Sequence, residues 1–225
     1  MKRTVFLSAV ILLAAGAVRA EVPRPHEAVA DSAGRPGAGA AAGFCSILYY
    51  EPEAASIWIW SGWLAGDRAG VVFDLPAECG KKPGTAIHHD SFWWYWRHTV
   101  PGWGYTVSYD LYEVDAKGAP KGEPLGSIES SLPMEGWNHY GGFGSIEADR
   151  VALVASWTKG VIPSLATDRP APGRRRAPHS FFYGREGEDA SSRPIPFTEK
   201  GKAVQVLMSA SFGDAPADTA AKAGE

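Results

Sequence analysis

The feature that most constrains the fold is a set of short segments in which large apolar residues recur at every second position. In YTVSYDLYEV (105–114), Tyr105, Val107, Tyr109 and Leu111 share one face, and Thr106, Ser108 and Asp110 share the other. Side chains alternate across a strand, so this pattern gives one buried face and one wet face. RVALVASW (150–157) repeats it with Val151, Leu153, Ala155 and Trp157. VQVLMSASF (204–212) repeats it with Val204, Val206, Met208, Ala210 and Phe212, set against Gln205, Ser209 and Ser211. Further runs are CSILYY (45–50), SIWIWSGW (56–63), GVVFDLP (70–76), SFWWYWRHT (91–99), GWNHY (136–140), SLATD (164–168) and HSFFYG (179–184). They are rich in β-branched and aromatic residues and too short for typical helices. Short strands separated by turn signals predict an all-β chain folded as an antiparallel β-sandwich or barrel.

The two ends of the chain read differently. Residues 1–20 have the form of a signal peptide: Lys2 and Arg3, an apolar run from Val5 to Ala17, then Val18-Arg19-Ala20 with small residues flanking the cleavage point. The run is short for a membrane span, and no later stretch approaches the roughly 20 apolar residues that a spanning helix needs. The alternative is an uncleaved N-terminal anchor helix. Cleavage near Ala20 would remove Lys2, Arg3, Arg19 and no acid, taking 22 basic residues to 19 against 25 acidic ones, a net charge of −6. Such a balance does not favour nucleic acid or an anionic membrane surface. Residues 21–43 are rich in Ala, Gly and Pro without apolar periodicity and predict a disordered leader. Residues 44–212 form the predicted sandwich domain, and 213–225 a frayed acidic tail. The expected location is secreted or periplasmic.

Cys45 and Cys79 are the chain's two cysteines. In an exported chain a lone pair is most simply one disulfide. Closing a loop of this length stabilises by roughly 3–4 kcal/mol in the chain-entropy model. The other readings are two free thiols or a metal pair, and no CxxC-type spacing supports a metal.

The order of the later segments adds a resemblance. YEVDAKGAPKGEPLG, GWNHY, VALVASWTKG, SLATD, HSFFYG and VQVLMSASF follow one another between residues 112 and 212. In this order they resemble an uncharacterised class of jelly-roll-like accessory modules in secreted bacterial proteins, often appended to proteases or adhesins. The resemblance implies a jelly-roll-like sandwich. It also places Asp168 at the class's small-residue–Asp position, where a carboxylate caps a turn or ligates a structural Ca²⁺. That class usually accompanies a catalytic or anchoring domain, and none is read here. Fold likeness says little about activity.

His88, His89, His98, His139 and His179 lack zinc-site spacing, and adjacent His88 and His89 point to opposite faces of an extended segment. There is no GxSxG nucleophile elbow. No helix follows Gly142-Phe143-Gly144-Ser145 to offer its N-terminus to a phosphate. Acids such as Glu135 and Asp149 form no sequence-local catalytic pair. Arg174-Arg175-Arg176 reads as a solvated loop. No cofactor is expected, and Asp168 is the one weak metal candidate.

The strongest cue is aromatic. On a strand through SFWWYWRHT, Phe92, Trp94 and Trp96 face one way and Trp93, Tyr95 and Arg97 the other. Either both faces are covered by a tryptophan-rich core, or one presents a platform for sugar rings or other CH-rich ligands. Trp58, Trp60, Trp63 and Trp103 would extend such a surface. The sequence therefore predicts a non-catalytic, exported binding or adhesion-type module. Its ligand-binding residues would be Trp93, Tyr95, Arg97 and Trp103, its partner a glycan or another cell-envelope component. The alternatives are a structural envelope protein without a small ligand and an unrecognised secreted hydrolase.

Overall fold

The computed structural model describes residues 25–29, 44–53, 56–100, 104–130, 132–159, 163–169, 176–185 and 194–213. Two antiparallel sheets pack face to face. Numbered in chain order, the first sheet holds β1 (Pro25–Val29), β2 (Phe44–Leu48), β3 (Ile57–Trp60), β5 (Ile87–Arg97), β8 (Gly136–Ile146), β10 (Ser164–Asp168) and β15 (Met208–Gly213). The second holds β4 (Asp67–Asp74), β6 (Thr106–Glu113), β7 (Gly126–Ser130), β9 (Arg150–Lys159), β11 (Ser180–Arg185) and β12 (Ile195–Pro196). A small hairpin joins β13 (Thr198–Glu199) to β14 (Lys202–Ala203). The chain is thus the antiparallel sandwich that the alternation predicts.

β5 organises the first sheet. One edge pairs along its length with β8; the other is shared by β15 and, at Trp96 and Arg97, by β10. In the second sheet β9 is central, with β4 on one side and β6 on the other. The inward rows are the predicted ones: Val107, Tyr109, Leu111, Val151, Leu153, Ala155 and Trp157 are fully buried, as are Val206 and Met208. Across the gap stand Phe92, Trp94 and Trp96, all at zero exposure. Trp96 Nε1 donates to the Tyr109 hydroxyl at 2.8 Å, and that hydroxyl donates to Tyr140 at 2.9 Å, whereas Trp94 Nε1 is buried without a hydrogen-bond partner. Trp63 stacks on Trp157 with centroids 3.9 Å apart.

The single helix among the described residues, α1 (Leu75–Cys79), follows β4 where the sequence suggested a strand through Pro76. Asp74 stops the strand by capping the helix, its Oδ1 accepting the Ala77 N–H at 3.2 Å. The helix places Cys79 against β2, and Cys45 and Cys79 form the disulfide, with Cα atoms 5.5 Å apart. No helix among the described residues is long and apolar enough to cross a membrane.

Other expectations need correction. Pro25–Val29, inside the predicted disordered leader, pairs as a strand with β3; strand addition uses backbone groups and needs no apolar periodicity. The rest of the leader, the signal segment and the tail lie outside the described residues. Residues 204–212 are not one continuous strand: Val206 bridges to Thr167, and the regular ladder begins at Met208. Gln205, placed on the wet face by alternation, is buried instead, because its amide accepts from Ser180 Oγ and the His179 N–H and donates to the Ala177 carbonyl. Finally, SIWIWSGW is a strand only to Trp60.

The β5–β8 ladder contains a register shift between His89 and Ser91, and Gly142 fits opposite it. A Cβ at Gly142 would stand 1.9 Å from the His89 carbonyl oxygen, so the close approach requires glycine. Gly142→Ala should cost on the order of 1–3 kcal/mol through forced backbone displacement. A urea midpoint equal to the parent's would show that the ladder absorbs a methyl group.

Candidate functional site

The outer face of the first sheet is divided into a covered half and an open half. Ile57 and Ile59 of β3, Ala166 of β10, Tyr95 and Leu207 cluster beneath Tyr50 and are all buried. Toward β8 the cover ends. There Trp93 is half-buried, and its cross-strand partner His139 is exposed. Their rings lie 4.5 Å apart at 31°. One step along, Tyr95 meets the half-buried Trp137 edge-on at 5.2 Å, and Trp137 touches Tyr50 at 5.7 Å. At the end of the row Arg97 Nε lies 3.0 Å from Glu135 Oε1, while Glu135 Oε2 accepts from Thr99.

The register continues this face with small side chains. Trp93 pairs with Ser209 of β15, which pairs with Leu48 of β2. Ser91 pairs with Gly141 on one side and Ser211 on the other, and Ser211 pairs with Ser46. The Ser46 and Ser211 hydroxyl oxygens are 3.4 Å apart. Neighbouring strands are about 4.8 Å apart, so each four-strand row is about 14 Å across. The result is an aromatic ridge of Trp93 and His139 beside a low, hydroxyl-bearing floor.

The predicted site residues fare unequally. Trp93 lies on the open face as expected. Tyr95 shares that side of the strand but is 7% exposed, so it supports Trp137 rather than meeting a ligand broadly. Arg97 is fixed by Glu135. Trp103 lies outside the described residues. Trp60 and Trp63 belong to the core, and Trp58 packs beside it under the Arg169 guanidinium at 5.1 Å, so none of the three extends the face. Of the two readings of the aromatic strand, the inner row is core and the outer row is partly open.

Asp168 is a structural anchor. Its Oδ1 accepts the Gln205 N–H at 2.9 Å, and its Oδ2 accepts the Glu51 N–H at 2.8 Å and Arg176 Nη1 at 2.5 Å. Burial pushes its carboxyl up from the ordinary range, while these donors pull it down. Arg176, predicted as part of a solvated loop, instead bridges Asp168 and Glu51 and donates to the Tyr49 carbonyl. Sequence reasoning missed it because the partner carboxylates lie 8 and 125 residues away. The histidines do not converge: among the described residues no three His, Cys, Asp or Glu side chains form a metal-type cluster. His98 Nδ1 is 3.0 Å from Ser164 Oγ, and His179 stacks on Tyr49 at 3.6 Å. His89 sits in the core among Phe92, Phe143 and Phe212. Asp149 is held by Lys81 at 2.5 Å rather than paired with another acid.

No protein-family model matches the chain, and no curated protein matches it. Among solved structures, a clostridial cysteine protease, Cwp84 after propeptide cleavage, is similar at 11% sequence identity with a TM-score of 0.49, over 79% of this chain and 42% of that one.

Proposed function

We propose that this chain is a non-catalytic, exported binding module that holds a carbohydrate chain of the cell envelope against the open face around Trp93. The observation that supports this best is the register that sets the Trp93–His139 ridge beside Ser91, Ser211 and Ser46. An indole face takes the C–H face of a pyranose ring through dispersion and polarised C–H contacts. Adjacent hydroxyls then exchange hydrogen bonds with the sugar's own hydroxyls. A flat floor suits a chain lying across the strands better than a small molecule, which prefers a concave site. The Cys45–Cys79 disulfide supports the oxidising compartment where such a ligand is met.

The test is a polysaccharide array followed by isothermal titration with the ligand it identifies. Stacking one ring on an aromatic is worth about 1–3 kcal/mol in nucleic-acid systems. Trp93→Ala should therefore weaken binding about tenfold or more, with an unchanged far-UV circular dichroism spectrum. Trp93→Ala binding like the parent, or failing to fold, defeats the reading, and so does an array without a ligand.

A further inference from the structure

The outer face of the second sheet, opposite the Trp93 face, carries a cleft of about 680 Å³. That volume lies within the range of small-ligand sites. Its floor is Val72 of β4 and Phe181 of β11, held together where the Val72 N–H donates to the His179 carbonyl at 2.8 Å. The turn after β6 closes one side. Gly118 there has φ of 83°, and a Cβ on it would stand 3.2 Å from Val72 Cγ2, so the turn lies directly on the floor. Pro178, Pro194, Pro196 and Ile195 form the apolar rim. Ile195 is 44% exposed, which leaves that rim accessible.

The ionic lining is asymmetric. Lys117 and Arg150 supply two cations, and Asp74 supplies one carboxylate. Asp74 is already engaged: its Oδ1 caps the helix, and its Oδ2 lies 3.7 Å from Arg150 Nε. Arg150 Nη1 donates to the Asp115 carbonyl, which fixes the guanidinium at the cleft. The Asp115 carboxylate is turned onto its own loop, its Oδ1 accepting the Lys117 and Ala119 N–H groups. His179 completes the lining, stacked on Tyr49, and burial lowers its basicity. A cleft with surplus positive charge beside apolar walls, in a chain of net charge −3, selects an anion with an apolar neighbour.

We propose that this cleft is a second binding site, one that takes an apolar carboxylate. The carboxylate faces Arg150 and Lys117, and the apolar group rests on Val72, Phe181 and Ile195. A free peptide C-terminus and a small organic acid share this chemistry. The site does not depend on the Trp93 face.

The experiment is an NMR titration of the ¹⁵N-labelled full chain with three probes: N-acetylleucine, N-acetylleucinamide, and an acetylated tripeptide ending in leucine. Both acids should produce saturating amide shifts at Val72, Gly118, His179 and Phe181, and the amide should produce none. A tripeptide that binds more tightly than N-acetylleucine identifies a chain end as the ligand; equal affinity identifies a small acid. Arg150→Gln combined with Lys117→Gln should weaken binding at least tenfold. Arg150 also braces the turn, so Lys117→Gln alone and Ala177→Trp, both at exposed lining positions, give variants that keep the fold. Lys117→Gln should weaken the acids measurably, and Ala177→Trp should fill the mouth and abolish the shifts. Equal response to acid and amide, no saturating shifts at these four residues, or parent-like binding by Ala177→Trp overturns the proposal.

Discussion

Asp168→Ala is expected to be among the most destabilising single substitutions in the chain, at about 3–5 kcal/mol. The carboxylate is fully buried and holds three donors: two backbone N–H groups, from Gln205 and Glu51, and Arg176. Its removal leaves those donors without that acceptor and leaves Arg176 with only Glu51 as an ionic partner. Removing one member of a buried ion pair costs more than replacing both, because the orphaned charge keeps its desolvation penalty. Asp168→Ala combined with Arg176→Met should therefore be clearly more stable than the sum of the two single losses predicts. Urea denaturation of the four proteins measures this coupling. Additive losses, or a negligible shift for Asp168→Ala, would show that the cluster does not hold the 49–51, 168 and 205 segments together.

The second large effect is a loss of stability in acid that originates at His89. Its ring is buried among phenylalanines; Nδ1 accepts the Phe143 N–H at 3.1 Å, and Nε2 has no hydrogen-bond partner. Burial, opposed by Asp90 and reinforced by His88, lowers its pKa from 6.5 to about 4. The neutral ring is the form the fold accepts, so the unfolded chain binds the proton first. His89's contribution is complete above pH 6.5, declines as pH falls, and is gone below about 4. A difference of this size corresponds to about 3 kcal/mol. His89→Phe removes the titrating group, so its stability relative to the parent should rise by about that amount between pH 7 and pH 4. The comparison cancels other titrating groups, including Asp168, whose raised pKa acts with the opposite sign. A constant gap between the two proteins across that range would place the acid sensitivity elsewhere.

These two residues also mark where the sequence stops being legible. Alternation located β6, which has one dry face and one wetter face, and it found the inward row of β9 even though Ala152, Val154 and Ser156 on the opposite face are buried too. A lone cysteine pair located the disulfide for an equally local reason. Alternation misplaces residues where polar side chains are buried against distant partners. Around Gln205 and Asp168 burial has no period, and polar residues are buried because distant partners satisfy them. His89 is invisible for the same reason: a histidine beside an aspartate reads as a polar loop until a bulge turns its ring into the core. The aromatic ridge was half-legible, since Trp93 stands out in the sequence whereas its serine neighbours depend on pairing across β2 and β15. The cleft left no sequence signal, since its lining comes from β4, β9, β11, β12, the turn after β6 and the segment before β11.

β5 separates two kinds of constraint along one strand. Phe92, Trp94 and Trp96 fix how the sheets meet, so change there is removed by failure to fold. Trp93, Ser91, His139 and Ser211 contact little of the core. On the binding function proposed above, mutation at these four positions would alter what the face recognises and spare the core. On that reading, descendants of such a chain would diverge in specificity while keeping one architecture, and a combinatorial library confined to these positions would sample recognition without sacrificing foldable members.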